Sequence, residues 1–210
     1  MRKLLFVALL SAFSFAIMAG EPSSRVSMNP ELLKKLKQAN TSKGNELAAS
    51  CGGCHGTGGS FPSLEGQLPT YLYKQLQDYK DGHRNNPIMS GLASTLSEED
   101  MVNLAAYYGQ RPLAKPSSPE VAKKPILVTE GDSRRILPPC SVCHETNGTG
   151  QKLDIPALVG QPETYLLQTL RDYKSGVRHN DLYGRMQSIT QEMTDAEIAE
   201  VARYYAGMGH

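Results

Sequence analysis

The sequence predicts an all-α protein that consists of two similar helical units in tandem. Three observations support this prediction. The motif C-x-x-C-H occurs twice, at 51–55 and at 140–144, and the segments that follow the two motifs align with each other, which indicates an internal duplication. Apolar residues recur at helical spacing in both halves, and neither half shows the alternation that is typical of strands.

The doubled motif predicts two covalently bound haem c groups. On a helix, positions i, i+3 and i+4 lie on one face, so two thiols can form thioethers to the porphyrin while the following imidazole reaches the iron. A redox dithiol or part of a zinc site is the alternative for a C-x-x-C pair, but histidine follows each pair at once and no other cysteine remains for disulfides. The predicted thioether sites are Cys51, Cys54, Cys140 and Cys143, and the predicted iron ligands are His55 and His144.

Composition limits the possible functions. The chain has 210 residues and a formal charge of +1, which allows one or two globular domains and gives no excess of apolar residues for a membrane bundle. Near-neutral charge, few aromatic residues and the absence of tryptophan argue against a nucleic-acid partner. We therefore expect a protein that functions through its haem groups.

Residues 1–20 have the pattern of a secretory signal peptide. Arg2 and Lys3 precede an apolar run over 4–19, and small residues come directly before Glu21. This pattern predicts export to the periplasm, which also suits covalent attachment of haem. An uncleaved anchor is the alternative, because the run is only slightly shorter than a membrane span; the mature protein would then be membrane-associated and not soluble.

The remaining chain is predicted to consist of a polar leader over 21–41, a first unit over 42–112, a linker over 113–127 and a second unit over 128–210. The leader contains a short lysine-rich helical pattern after Asn29-Pro30, and we expect it to be solvated. The linker is rich in proline and polar residues, so we expect it to be extended.

Within the units, helices are predicted over 45–50, 70–80 and 97–108 in the first half, with counterparts of the last two in the second half. Gly82 marks one helix end. Thr194-x-x-Glu197 is a capping box and Ser97-x-x-Asp100 is a weaker form of it, so both final helices have a well-marked start.

Alignment of the two halves selects the sixth iron ligand. Met89 and Met186 both lie 18 residues before the first tyrosine of a Tyr-Tyr pair, in what we expect to be matching loops. Other methionines align with different residue types, as core residues do. His83 and His179 have no aligned histidine, so coordination by two histidines is the weaker alternative. With histidine and methionine on each iron, both axial positions are filled and outer-sphere electron transfer is the expected function.

The repeated pattern resembles the dihaem cytochromes of the c4 type. After each C-x-x-C-H come P-x-L-x-G-Q, Tyr-Leu, D-Y-K-x-G-x-R, a methionine segment and a final Tyr-Tyr pair. The resemblance implies two tandem class I cytochrome c domains, haem propionates near their interface, and a periplasmic carrier that passes electrons towards a membrane-bound terminal oxidase. A cytochrome bc-type complex and soluble redox donors are the other partners it leaves open.

The same resemblance implies roles for individual residues. It pairs His55 with Met89 and His144 with Met186, and it implies that the carbonyl groups of Pro62 and Pro156 hold the neighbouring histidines. The arginines that end D-Y-K-x-G-x-R could pair with propionates, although we expect them to be solvated. The second unit departs from strict repetition by five extra residues after its C-x-x-C-H and three before its methionine.

Two other functions stay open. A dihaem enzyme, such as a peroxidase or a sulfur-compound dehydrogenase, would need a labile sixth ligand on one iron. A fixed electron-entry subunit of a larger complex would use the leader as an anchor or docking segment. The sequence favours the carrier over both, because it contains two matched ligand sets and no dedicated catalytic insertion.

Overall fold

The computed structural model describes residues 23–56, 59–113 and 123–208. The predicted signal peptide and most of the predicted linker lie outside these residues. In the described part of the chain, secondary structure is helical apart from turns and two isolated bridges, Asp132 with Leu137 and Gln151 with Ile155. This confirms the all-α prediction. None of the described helices is long and apolar enough to cross a membrane.

The described helices of the first half surround the first C-x-x-C-H motif. They are α1 (Pro30–Lys37), α2 (Thr41–Ala48), α3 (Gly52–His55), α4 (Pro69–Asp81), α5 (Pro87–Thr95) and α6 (Glu98–Gly109). The second half repeats this order without a counterpart of α2. It contains α7 (Ile126–Thr129), α8 (Cys140–His144), α9 (Glu163–Ser175), a 3₁₀ turn (Leu182–Gly184), α10 (Arg185–Gln191) and α11 (Asp195–Gly207).

Local sequence signals account for most helix ends. Ser97 and Thr194 each form a complete reciprocal capping box at the start of α6 and α11, so the first is as complete as the second. The long helices α4 and α9 both end at a glycine in the left-handed region, where a side chain would be strained: φ is 80° at Gly82 and 78° at Gly176.

Two expectations about local structure are wrong. The methionine segments are not loops, because Met89 lies in the first turn of α5 and Met186 in the first turn of α10. The helix before the first motif begins at Thr41, earlier than expected, because the side chain of Asn40 accepts a hydrogen bond from the backbone N–H of Lys43 and caps it.

The leader is packed and not solvated. Leu32 of α1 is buried, and Val26 and Leu36 pack against the same apolar cluster of the first unit. Upstream of this helix, the hydroxyl of Ser24 donates to the carboxylate of Asp78. The lysines of α1 point outward, so the short amphipathic helix covers one side of the first unit.

Each unit has its own apolar core. The first core is centred where α2 crosses α6 at close range: a Cβ atom on Gly44 would lie 2.2 Å from the carbonyl oxygen of Asn103. Met101 of α6 is fully buried there. The second core joins α9 and α11 and contains Met193, Ile198 and Tyr205. Met101 and Met193 are therefore core residues, as their alignment predicts.

The two units are joined by reciprocal contacts of a buried glutamine with the backbone of the other unit. The side chain of Gln67 donates to the carbonyl of Ala157 at 3.0 Å and accepts from its N–H at 2.9 Å. Gln161 makes the equivalent pair with Ser63, at 2.9 Å and 3.0 Å. Because the N–H and carbonyl groups of Ala157 and Ser63 all have hydrogen-bond partners, this polar interface can be buried at little cost.

Candidate functional site

The motif cysteines and histidines lie on two short helices, α3 and α8, except for Cys51, which comes immediately before α3. None of the four cysteines forms a disulfide. Burial raises the pKa of Cys140 to about 11, whereas the reactive cysteine of a thiol-disulfide catalyst has a lowered pKa. The environment of Cys140 is therefore unlike that of a reactive redox thiol.

Both motif histidines are held in the same orientation. The Nδ1 atom of His55 lies 2.8 Å from the carbonyl oxygen of Pro62, and that of His144 lies 2.9 Å from the carbonyl oxygen of Pro156. A hydrogen bond from Nδ1 leaves Nε2 free for a metal and fixes the plane of the ring. Burial lowers the pKa of His144, partly offset by the Pro156 carbonyl, which favours the neutral imidazole that a metal requires.

The two methionines are positioned by different local devices. In the first unit, the side chain of Asn86 accepts hydrogen bonds from the N–H groups of Ile88 and Met89 and so caps α5. In the second unit, the carboxylate of Asp181 accepts from the N–H of Met186 at 2.7 Å. Each device fixes the helical turn that carries the methionine, although the second unit has three more residues before it.

One continuous cavity of about 750 Å³ contains the predicted site residues of both units in its wall. His83 and His179, the histidines of the alternative coordination, do not line it. The cavity therefore brings together the predicted histidine, methionine and two cysteines of each unit, and the core residue Met193 also reaches its wall. The predicted residues that line it are Cys51, Cys54, His55, Met89, Cys140, Cys143, His144 and Met186.

Two arginines from opposite units, Arg84 and Arg178, line this cavity. Arg84 donates to Gln75 at 2.8 Å and to the hydroxyl of Tyr165 at 3.4 Å. Arg178, 6% exposed, donates to the hydroxyl of Tyr71 at 3.0 Å and to Gln75 at 3.1 Å. Each therefore contacts a tyrosine of the other unit, which corrects the expectation that they are solvated.

The arginines also give a test of whether the cavity suits haem. Within the described residues, the hydrogen bonds of both guanidinium groups go to amide and hydroxyl side chains and to no carboxylate. Each group also stacks on a tyrosine ring, Arg84 on Tyr79 and Arg178 on Tyr173. A buried cation without an anionic partner is costly. Two such cations fit an apolar group that carries carboxylates, which is the chemistry of haem and its propionates.

The sequence reasoning missed the residues that join the units. Gln67 and Gln161 belong to the repeated P-x-L-x-G-Q pattern, yet the pattern gives no sign that their side chains bind the backbone of the other unit. The buried pair Lys74 and Asp78 was also missed. Its i, i+4 spacing is visible in the sequence, but such pairs usually lie on exposed helix faces.

Comparisons with known proteins agree with this geometry. The family model described as cytochrome c oxidase, cbb3-type, subunit III matches residues 39–107, and the cytochrome c model matches residues 136–208. Each half of the chain is therefore similar to a separate c-type cytochrome family.

Relatives that match most of the chain include cytochromes c4 and electron acceptors of thiosulfate dehydrogenase. A thiosulfate dehydrogenase electron acceptor of Thiomonas intermedia is 34% identical over 98% of this chain and 91% of the relative. A cytochrome c4 of Pseudomonas aeruginosa is 36% identical over 79% of this chain and 87% of the relative.

Similar solved structures include a cytochrome c4 and a thiosulfate dehydrogenase. Reduced recombinant cytochrome c4 from Pseudomonas stutzeri has a TM-score of 0.71 and 29% identity, and the match covers 81% of this chain and 99% of that one. A thiosulfate dehydrogenase from Marichromatium purpuratum has a TM-score of 0.72 and 30% identity, with 80% of this chain matching 40% of that longer one.

Proposed function

This chain belongs to the cytochrome c4 family of dihaem c-type cytochromes, and on that premise we propose that it is a periplasmic carrier with two closed iron sites. It carries electrons, as its family does, and binds two covalent haem c groups. The single observation that carries the proposal is the cavity in which two complete sets of cysteine, histidine and methionine meet. Such sites suit outer-sphere transfer and not substrate binding at the metal.

In this proposal, His55 with Met89 and His144 with Met186 would hold the two haem irons, and the four motif cysteines would form the thioethers. Haem iron supplies reversible one-electron chemistry when it is bound. The chain's own residues hold the group: the Pro62 and Pro156 carbonyls orient the histidines.

The two arginines supply positive charge for propionates between the units. With a histidine and a methionine holding each iron, the protein would act as a carrier and not as an enzyme. The same proposal assigns one haem to each predicted unit, 42–112 and 128–210.

The cellular setting is also part of the proposal. The signal-like pattern of residues 1–20 supports export to the periplasm. A carrier in that compartment would receive electrons from a cytochrome bc-type complex or a soluble donor and deliver them to a membrane-bound terminal oxidase. A mature chain that starts near Glu21 and is recovered in the periplasmic fraction would support this, and a chain retained in the membrane with residues 1–20 intact would contradict it.

Haem stoichiometry together with carbon monoxide binding tests the closed-site proposal. We expect two covalent haems per chain, with neither reduced iron binding carbon monoxide, because methionine occupies the sixth position of each. Binding at one haem would show an open or labile iron. That result would overturn the closed-site assignment and favour a dihaem enzyme.

A second candidate function is electron acceptor of a thiosulfate-oxidising enzyme. The Thiomonas relative with that name aligns over 98% of this chain, whereas the cytochrome c4 of Pseudomonas aeruginosa aligns over 79%. The additional coverage favours a role for this chain, like that relative, as the acceptor of electrons from such an enzyme. Stopped-flow reduction of the oxidised protein by a thiosulfate dehydrogenase with thiosulfate tests this: rapid reduction supports the role, and reduction no faster than by thiosulfate alone rejects it.

A further inference from the structure

The interface between the units contains one charged pair that breaks the repeat. On α4, the ammonium group of Lys74 lies 2.5 Å from the carboxylate of Asp78, and the two side chains are 2% and 1% exposed. The aligned positions on α9 are Gln168 and Asp172. The exposed amide of Gln168 donates a hydrogen bond of 2.7 Å to the carboxylate of Asp172. The first unit therefore buries an ion pair where the second has a solvated amide.

Three separate segments of the chain enclose this pair. Lys74 also donates to the backbone carbonyl of Asn180 in the second unit, and the amide of Asn180 donates to Asp78 at 2.6 Å. The leader closes the remaining side, because the hydroxyl of Ser24 donates to the other carboxylate oxygen of Asp78 at 2.6 Å. In the first unit, the residue that aligns with Asn180 is Asn86, and its side chain caps α5 instead.

Stability alone does not account for the pair. Desolvation of two charges commonly offsets their attraction, so a buried ion pair is often no more stable than a well-packed apolar pair. Burial lowers the pKa of Lys74, although Asp78 opposes this shift. Burial therefore disfavours the charged form of the Lys74 side chain. The glutamine of α9 shows that this fold accepts a neutral residue at the same helical position.

The pair has a definite orientation relative to the haem cavity. Lys74 lines the cavity, while Asp78 lies behind it and does not. The other charged groups that face the ammonium group are Arg178 and Asp154 of the second unit. A positive charge beside a haem stabilises its reduced form, because reduction adds negative charge, and low water content weakens screening.

We propose that the Lys74 and Asp78 pair is a redox-tuning dipole that raises the potential of one haem relative to the other. The inference rests on the proposed function, because it requires a haem in each unit of the shared cavity. Lys74 acts as a positioning residue for charge and is not an iron ligand. The unequal potentials would localise the electron of the singly reduced protein on one haem.

The test compares Lys74→Gln with a matched control, Gln168→Lys, in the holoprotein. Spectroelectrochemical titration, fitted to two one-electron steps, gives the potential of each haem. In Lys74→Gln we expect the ferrous-to-ferric ratio of one haem, at a fixed applied potential, to fall at least threefold, which is about 30 mV. The other haem should change less, so that the separation of the two potentials changes. Gln168 also lines the cavity, but its side chain is exposed, so solvent screens the new charge and Gln168→Lys should change the separation less than Lys74→Gln does.

The proposal would be overturned if Lys74→Gln kept the wild-type separation of the two haem potentials, or if both potentials shifted equally. The double variant Lys74→Gln with Asp78→Asn protects the test against misfolding, since it leaves an uncharged amide pair that resembles the pair on α9. We expect the double variant to shift the same haem in the same direction by a smaller amount; a wild-type separation there would also overturn the proposal. Carbon monoxide binding to the wild-type protein would instead reject the closed-site function while leaving the two measured potentials interpretable.

Discussion

Replacement of Gln161 by alanine tests whether the reciprocal glutamine contacts hold the two units together. The side chain of Gln161 is 4% exposed, accepts a hydrogen bond from the N–H of Ser63 at 3.0 Å and donates to its carbonyl at 2.9 Å. Ser63 is itself buried. The truncation therefore leaves one backbone donor and one backbone acceptor without partners inside the interface.

The expected cost follows from these two groups. A buried polar group that loses its partner costs about 1–3 kcal/mol, so with two such groups we expect Gln161→Ala to lower the free energy of unfolding by about 2–6 kcal/mol. Gln67→Ala should cost a similar amount, because Gln67 makes the same two bonds with Ala157. Gln161→Glu should cost at least as much as the truncation, since its carboxylate is a buried charge that can accept from the N–H but cannot donate to the carbonyl.

Guanidinium unfolding of the holoprotein, followed by haem absorbance and by far-UV circular dichroism, measures these effects. A weaker interface should also separate the unfolding of the two units, so that the two signals no longer coincide. The control is Gln168→Ala, which removes an exposed side chain and should stay within about 0.5 kcal/mol of the wild type. A Gln161→Ala protein that unfolds like this control, in one transition, would refute the interface role.

Three further predictions address the ligands, the core and an ion pair. Met89→Ala should allow carbon monoxide to bind one reduced haem and Met186→Ala the other; a variant that stays closed contradicts that ligand. Gly44→Ala places its Cβ 2.2 Å from a backbone carbonyl oxygen of α6, and thermal unfolding should show a loss of about 1–3 kcal/mol. The hydrogen bond from Arg135 lowers the pKa of Glu197 to about 2 from its usual 4.5. The stability that ionised Glu197 contributes is therefore present above about pH 4.5 and lost as pH falls towards 2. Glu197→Gln should flatten urea-measured stability across that window by about 1 kcal/mol, allowing for partial exposure; an unchanged slope would contradict this.

Much of the candidate site could be predicted because its residues follow local or repeated patterns. The spacing of C-x-x-C-H requires a helical turn, and the duplication separates Met89 and Met186 from core methionines such as Met101. The helical state of the two methionine segments was harder to predict. In the second unit it depends on an acceptor at Asp181 and on a left-handed backbone at Tyr183, where φ is 64°, and neither is a strong sequence signal.

The interface could not be predicted for a different reason. Its hydrogen bonds join residues about 100 positions apart, and their donors and acceptors are partly backbone groups that every sequence contains. Arg84 and Arg178 follow a helix-ending glycine, a position that usually faces solvent. Arg178 is buried and Arg84 half-buried because the two units pack face to face, which is a property of the pair of units and not of either repeat.

The two haem environments differ even apart from the buried Lys74 and Asp78 pair. The two insertions of the second unit meet where Arg185 binds Asp154 at 2.6 Å, next to Met186 and in the wall of the cavity. His144 is buried, whereas His55 is half-buried. Lower exposure to water changes a haem potential without any added charge. Unequal potentials in the wild type are therefore no evidence for the dipole, and only the change in their separation on neutralising Lys74 distinguishes charge from burial.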